Sequence, residues 1–256
     1  MSLVSVRNLS HTFDNLSLFK KTQGKKVLDD ISFDIYHGEA LGLLGKSGSG
    51  KSTIAKILIG LLKPSRGEIK FEGDILKLSN LRQKREFYKC AQIVFQDSLS
   101  AVNPNFNVLQ VVEEPLIYLS NLSKDERIKR VKSLLERLDI SPDFLYKHVK
   151  LLSGGQLQRV CMARAMAINP KLIILDEALS SLDLVLQEGI LQLLKSLKGE
   201  ISFLFITHDI RLIRLFCDRV ILIDEGKVAE IADAKSKFQS EIGKALEGAI
   251  LPPFPR

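Results

Sequence analysis

The feature that most constrains this chain of 256 residues is a glycine-rich turn between an apolar run and a helical pattern. Residues 40–44, ALGLL, are typical of a buried strand, and residues 53–62 show helical periodicity. The turn between them reads GKSGSGKS, which fits the spacing GxxxxGK[ST]. A strand that enters such a turn and continues as a helix favours an α/β architecture with a mainly parallel sheet.

The turn has the chemistry of a phosphate-binding loop. Its glycines let the backbone wrap closely, so that successive N–H groups point at phosphate oxygens. We expect Lys51 to reach the β- and γ-phosphates of a nucleotide and the Ser52 hydroxyl to bind Mg²⁺. A chance match in an ordinary turn is the alternative, but the strand before it and the helix after it disfavour that. The predicted phosphate-binding residues are Gly45, Lys46, Ser47, Gly48, Ser49, Gly50, Lys51, Ser52 and Thr53.

A second apolar run ends in two carboxylates. Residues 172–175, LIIL, are typical of a fully buried strand, and Asp176 and Glu177 follow them. We expect Asp176 to hold the Mg²⁺ shell and Glu177 to orient or deprotonate a water molecule near the γ-phosphate. An acid-rich helix start is the alternative, and the upstream phosphate loop favours the catalytic interpretation.

Two further polar residues follow apolar runs. Gln96 comes after residues 91–95, where its amide could contact the metal or the attacking water, although an ordinary polar strand end is the alternative. His208 comes after the predicted strand 201–206. A lone histidine is usually structural, but the carboxyl end of a strand in such a sheet favours ligand contact.

A third motif, LSGGQ at residues 152–156, precedes a helical stretch and has no lysine. Bare N–H groups at the start of a helix attract an anion. Ser153, Gly154, Gly155 and Gln156 therefore look like half of a phosphate site.

The remaining periodicity predicts how the chain is organised. Strand and helix signals alternate over residues 1–96 and 170–256, which we expect to form an α/β core, while residues 97–169 show only helical signals and are expected to form an insert. Ser123 with Glu126 has capping-box spacing, and Asp183 is a plausible helix cap. The expected strands are 27–35, 40–44, 67–73, 172–175, 201–206 and 220–223, and the expected helices are 53–62, 108–119, 123–138 and 183–197.

Charge and hydropathy narrow the class of protein. No apolar run approaches the roughly 20 residues that span a bilayer. The net charge of +7 is compatible with phosphate ligands, nucleic acid or an anionic membrane surface, and a solvated lysine-rich face is the simpler interpretation.

Together these motifs resemble the ATPase subunits of ABC transporters. The chain matches that family over essentially its whole length. The match lies in the order and spacing of GKSGSGKST, Gln96, LSGGQ, LIILDE, residues 180–183 and His208. The stretches 95–104, 152–165, 175–187 and 245–255 are similar to the peptide/nickel importer subfamily and, within it, to the second ATPase subunit of nickel importers. Many subfamily members carry proline where this chain has Ser98 and Pro-Thr where it has Ala178-Leu179, and both departures resemble the nickel branch.

The resemblance implies a P-loop NTPase fold, with a RecA-like core and mainly parallel sheet, an antiparallel β subdomain and an inserted α-helical subdomain. It implies ATP and Mg²⁺ as cofactors, with Phe13 stacked on adenine. The residues implied in catalysis are Glu177, His208 and Gln96; those implied near the metal are Ser52, Gln96 and Asp176; those implied in the D-loop are Ser181, Leu182 and Asp183.

The resemblance also implies partners. Two ATPase subunits would pair head to tail, so that Ser153, Gly154 and Gly155 of one chain bind the γ-phosphate of ATP held by the other. A second, different ATPase subunit, two transmembrane permease subunits and, indirectly, an extracytoplasmic solute-binding protein are expected on the cytoplasmic face of the cell membrane, and no nucleic acid. A homodimer, peptide import in place of nickel import and, more remotely, an ATPase acting on nucleic acid or the ribosome remain the alternatives.

Overall fold

The computed structural model of the protein describes residues 1–13, 16–17, 20–21, 24–180 and 182–249. Two compact units make up the chain. The first contains residues 1–76 and the segment from Leu204 onward, and the second is Lys77–Phe203. No helix in the described ranges is both long and apolar enough to cross a membrane.

The first unit opens with a four-stranded antiparallel sheet in the order β4 (Lys25–Tyr36), β1 (Ser2–Phe13), β6 (Arg66–Phe71) and β7 (Asp74–Ile75). Alternate apolar side chains of its long strands are buried, as expected for a sheet with one covered face. Arg7 donates two hydrogen bonds, of 2.9 and 2.8 Å, to the Asp34 carboxylate and so links β1 to β4. A separate antiparallel pair is formed by β2 (Leu16–Ser17) and β3 (Lys20–Lys21).

The first unit also contains the strand that leads into the glycine-rich turn. All five residues of β5 (Ala40–Leu44) are buried, as is typical of a parallel strand covered on both faces. β11 (Arg219–Asp224) runs parallel to β5 and antiparallel to β12 (Lys227–Asp233). The helices of this unit are α1 (Lys51–Leu58), α7 (Ile210–Phe216) and α8 (Glu241–Gly248).

The second unit combines two parallel strands with a helical region. β8 (Ala91–Val94) pairs in parallel with β9 (Leu172–Asp176). α3 (Val108–Leu119) packs against both α4 (Lys124–Arg137) and α5 (Gly154–Met166). The helices are α2 (Leu81–Cys90), α3 (Val108–Leu119), α4 (Lys124–Arg137), α5 (Gly154–Met166) and α6 (Leu184–Ser196), with 3-10 turns at Pro142–Tyr146 and Val149–Leu151. β10 (Ser202–Thr207) begins in this unit and continues into the first.

Capping residues explain where the predicted helices begin. Ser123 and Glu126 form the expected capping box at α4, which confirms that prediction. The Asp183 carboxylate accepts a 2.9 Å hydrogen bond from the N–H of Leu186 and caps α6, as predicted. Each such cap satisfies N–H groups that have no partner within the helix.

One predicted helix is too long. The pattern at 53–62 extends past the observed end of α1, because Gly60 adopts a left-handed φ of 76°. The N–H of Leu61 then bonds back to the carbonyl of Lys56 at 2.8 Å, the closing bond of a Schellman-type helix end.

Candidate functional site

The predicted phosphate loop follows β5 and enters α1, and two of its glycines have no room for a side chain. A Cβ atom on Gly45 would lie 2.2 Å from the carbonyl oxygen of Ile223 and 2.8 Å from Ser49 Oγ. Gly50 has a φ of 105°, and a Cβ there would lie 2.6 Å from Leu28 Cδ2. Both positions therefore require glycine for the loop to keep this path.

Lys51 folds back over the loop from the first turn of α1. Its buried ammonium donates hydrogen bonds of 2.8 Å to the carbonyls of Gly45 and Lys46. Gly50, the N-cap residue of α1, has no side chain to accept a hydrogen bond, whereas every other α-helix in the described part of the chain begins with a side-chain cap. The first turn of α1 therefore suits an external anion such as a phosphate.

The remaining loop residues differ in exposure. Lys46, Ser47 and Gly48 are exposed, whereas Ser52 and Thr53 are half-buried in the first turn of α1. The loop thus exposes Lys46 to Gly48 to solvent, while Gly45, Gly50 and Lys51 are buried.

Two other predicted residues belong to the first unit. Phe13, the last residue of β1, is 42% exposed, and its ring lies edge-on to that of His11 with centroids 4.6 Å apart. His208 is exposed and follows β10 directly. Phe13 is therefore partly accessible to a stacking partner.

Asp209, the residue after His208, carries a negative charge next to the imidazole. Asp209 caps α7 through the N–H of Arg211 at 2.8 Å. Burial raises the pKa of the Asp209 carboxyl, but hydrogen bonds from the Arg211 guanidinium and backbone, with the charges of Arg211 and His208, outweigh burial and lower that pKa overall. The carboxylate is therefore ionised at neutral pH.

In the second unit, the two predicted carboxylates occupy different environments. Asp176 is the last residue of β9 and is 5% exposed. Glu177 is half-buried and has a φ of 50°, in the left-handed region. This conformation is uncommon for a residue other than glycine and costs on the order of 1–3 kcal/mol. The Glu177 carbonyl accepts hydrogen bonds from the Ser180 N–H at 3.2 Å and hydroxyl at 2.8 Å, which fix the turn.

The LSGGQ motif forms the first turn of α5. Gln156 Oε1 accepts from the Ser153 N–H at 3.1 Å, and Ser153 Oγ accepts from the Gln156 N–H at 3.3 Å, which makes a capping box. The box leaves the N–H groups of Gly154 and Gly155 without an acceptor among the described residues. Both groups lie near the surface, so this helix start can bind an anion from outside the chain.

The structure also brings the LSGGQ motif against the predicted D-loop. A Cβ on Gly155 would lie 3.2 Å from Leu182 Cδ2, and Leu182 is buried. Asp183 caps α6, and Ser181 lies outside the described residues.

Gln96 is exposed and lies in the loop that follows β8. The contacts of that loop with α5 were not apparent from the sequence. The capping box of Ser153 and Gln156 was also missed, although the spacing S-x-x-Q carries a signal for it.

A family model described as ABC transporter matches residues 28–180. The chain belongs to the ABC transporter family. It is 46% identical, over all of this chain and 97% of the relative, to the nickel import ATP-binding protein NikE of Shigella dysenteriae serotype 1 (strain Sd197).

Solved structures agree with this ABC assignment. The ATP-binding cassette MJ0796, in a dimeric post-hydrolysis state bound to ADP and Pi, matches with a TM-score of 0.83 and 31% identity, over 91% of this chain and 99% of that one. CbiO1 from Clostridium perfringens, part of the ABC transporter complex cbiONQ, matches with a TM-score of 0.76 and 30% identity, over 91% and 89% of the two chains. With the parallel and antiparallel pairing of β5, β11 and β12, these neighbours confirm the predicted α/β P-loop NTPase fold.

Proposed function

We propose that this ABC ATPase subunit binds and hydrolyses ATP to drive the import of nickel, free or chelated, across the cytoplasmic membrane. The observation that carries the proposal is the full-length similarity to a nickel import ATP-binding protein. Ser98 and Ala178-Leu179, where the wider subfamily differs, support the same branch.

The proposed ATP site in the first unit uses the phosphate loop. Lys51 would exchange the carbonyls of Gly45 and Lys46 for β- and γ-phosphate oxygens, while the glycine-rich backbone and the first turn of α1 bind the remaining oxygens. Phe13 would stack on adenine through its exposed ring. His208 is proposed to contact the γ-phosphate.

The residues proposed for Mg²⁺ have suitable chemistry. Ser52, Gln96 and Asp176 offer hydroxyl, amide and carboxylate oxygens, which are the hard ligands that Mg²⁺ prefers. Burial of Asp176 at the end of β9 holds its carboxylate in a fixed place. When bound, the ion neutralises charge that develops on the phosphates.

Glu177 is proposed as the general base that accepts a proton from the attacking water. Its strained turn, bonded to Ser180, holds the backbone in one conformation, as a positioned base requires. We expect Glu177→Gln to abolish steady-state hydrolysis while ATP binding remains, because the amide is nearly isosteric but cannot take up the proton. Glu188→Gln, at an exposed position on α6, is the matched control. Unchanged hydrolysis in Glu177→Gln would refute the assignment.

We propose that the motif at 152–156 serves ATP held by a partner subunit. The open N–H groups of Gly154 and Gly155 support this, and the similar cassette MJ0796 is dimeric. We expect a heterodimer with a second ATPase, bound at the cytoplasmic face of the membrane to two permease subunits that receive solute from an extracytoplasmic binding protein. Full transport by a complex that contains only this ATPase would contradict the heterodimer.

The transported solute can be tested in cells. Deletion of the gene should abolish high-affinity uptake of radioactive nickel, and the wild-type gene, but not the Glu177→Gln variant, should restore it. Normal nickel uptake with loss of peptide uptake would replace nickel by peptide as the solute.

A further inference from the structure

The loop that carries Gln96 is bonded along its length to the helix that begins with the LSGGQ motif. Both elements belong to the second unit: residues 95–101 leave β8, and α5 (Gly154–Met166) starts at the Ser153 capping box. In the proposed function, Gln96 serves ATP bound by this chain, whereas Ser153 to Gln156 serve ATP of the partner. The contacts between the two elements therefore join residues that act at different ATP sites.

Three hydrogen bonds form a ladder between loop and helix. Backbone carbonyls at every third residue of the loop accept from side chains at every third residue of α5, so that 63 residues separate donor from acceptor in each pair. The equal spacing means that one side of α5 follows the path of the loop. The three rungs are Gln158 Nε2 to Phe95 O at 3.3 Å, Cys161 Sγ to Ser98 O at 3.9 Å, and Arg164 Nη1 to Ala101 O at 2.8 Å.

The part of the ladder that is formed by Ser98 and Gln158 is buried. Gln158 is 1% exposed and Ser98 is 7% exposed. The Ser98 hydroxyl also donates to Gln158 Oε1, so the Gln158 amide bonds both the side chain and the backbone of the loop. Leaving such a buried polar group unsatisfied is strongly unfavourable. Separation of loop and helix would expose or orphan these groups, and this opposes independent movement.

The other two rungs, from Cys161 and Arg164, continue the ladder toward α3. Burial raises the pKa of the Cys161 thiol, despite the charge of Arg164 and the contact with Ser98, and the thiol therefore stays protonated and can act as a donor. Arg164 also faces Glu114 of α3 at 3.7 Å. The far end of the ladder is thus fixed to a second helix.

We propose that Ser98 and Gln158 are positioning residues that make the Gln96 loop and the LSGGQ helix move as one body, and that they thereby couple the two ATP sites of the dimer. This inference rests on the proposed function. A displacement of the loop by nucleotide at the chain's own site moves the start of α5, which binds the partner's ATP. Because coupling free energies are reciprocal, ATP at the partner's site acts back on the Gln96 loop.

Two variants break the buried hydrogen bond between Ser98 and Gln158. Ser98→Ala removes only the hydroxyl, and Gln158→Leu replaces the amide by an apolar group of similar length. Ser100→Ala is the matched control, because Ser100 lies in the same loop but is exposed, and its hydroxyl bonds within the loop to Asp97, whose carbonyl accepts at 3.2 Å. None of these residues is among the proposed ATP contacts.

The test is hydrogen–deuterium exchange of the full chain, titrated with Mg²⁺ and the non-hydrolysable analogue AMP-PNP. In the wild type and in Ser100→Ala, peptides covering residues 95–101 and 153–160 should change protection with one common midpoint. In Ser98→Ala and Gln158→Leu the loop should respond as before, while the change in protection of the α5 peptide at saturating AMP-PNP should fall by about fivefold or vanish.

The outcomes distinguish failure of the coupling role from failure of the proposed function. If both peptides still respond together in Ser98→Ala and in Gln158→Leu, the coupling role is overturned while the proposed function stands. If the wild type binds no AMP-PNP, the proposed function fails and this inference fails with it. If Gln158→Leu does not fold, as judged by thermal unfolding, Ser98→Ala alone decides, since it deletes a single oxygen atom.

Discussion

At the start of α5, two neighbouring glycines meet different surroundings. A Cβ on Gly154 would have no heavy atom within 4 Å, whereas one on Gly155 would approach Leu182 to 3.2 Å. Ser153, just before them, is committed to the capping box. Gly154 is therefore the position at which the role of the motif can be tested without disturbing the fold.

We predict that Gly154→Asp leaves the isolated chain folded and able to bind ATP but cripples hydrolysis by the assembled pair. Aspartate in the first turn of a helix is compatible with the helix dipole. Facing a partner's γ-phosphate, the same charge costs several kcal/mol, which lowers the rate about 100-fold or more. Thermal unfolding, nucleotide binding and steady-state hydrolysis measure the three effects.

Gly154→Ala is the control for Gly154→Asp, because it adds the Cβ without charge. Hydrolysis that survives Gly154→Asp would contradict the role of the motif in trans. Ser153→Arg is a less clean variant, since loss of the cap costs about 1 kcal/mol of stability by itself.

Single residues show how far the sequence could predict the site. Lys51, Asp176 and Glu177 are proposed from spacing alone, because phosphate loops and strand-end carboxylates have fixed patterns. The left-handed φ of Glu177 does not, because glutamate carries no conformational signal comparable to that of glycine. The Ser98–Gln158 bond joins residues 60 apart and depends on tertiary packing.

At the scale of elements, strong periodicity made the prediction reliable. The buried strands β5 and β9 and the capped helices α4 and α6 lie where the sequence places them, because continuous apolar runs and capping residues identify them. The pattern did not reveal β12, in which no residue is fully buried, or α2, in which only Phe87 is buried. Both depend on neighbours more than on their own apolar pattern.

The link between β1 and β4 gives a pH-dependent contribution to stability. Burial raises the pKa of the Asp34 carboxyl, but hydrogen bonds from Arg7, Ser5 and Ser2 outweigh burial and bring that pKa below 3.8. Since the pKa is lower in the folded chain than in the unfolded one, the contribution is present above pH 3.8 and is lost as pH falls through the folded value.

We therefore predict that Asp34→Asn lowers the free energy of unfolding by about 1 kcal/mol at neutral pH. The difference from the wild type should shrink as the pH falls below about 4. Urea unfolding at several pH values measures it, and Asp74→Asn, at an exposed position of β7, is the control. A difference that grows with acidification would contradict the assigned sign.

At the scale of the whole molecule, nucleotide binding should appear as a gain in stability. A ligand at 100 times its dissociation constant stabilises the folded chain by about 2.7 kcal/mol, which corresponds to a rise in Tm of about 5–10 °C for a chain of this size. We predict that Lys51→Ala loses most of the rise seen on adding ATP and Mg²⁺, because it removes the ammonium that would hold the β- and γ-phosphates.

Lys56→Ala is the control for this experiment. Lys56 is the next lysine along α1, its side chain is exposed, and it is not among the proposed phosphate ligands. Each variant is compared with and without ATP, so that any loss of stability in the free chain cancels. An undiminished rise in Lys51→Ala would contradict the proposed ATP site.

The left-handed backbone at Glu177 also limits which substitutions a paralogue can accept when it loses hydrolysis. Asparagine, aspartate and glycine adopt this conformation at little cost, whereas valine and isoleucine are genuine outliers there. Consider a duplicated copy that no longer needs to hydrolyse ATP but must still fold as a partner. At this position such a copy can accept only a few residues. Paralogues that keep the assembly but have lost their own hydrolysis are expected to carry one of those few residues.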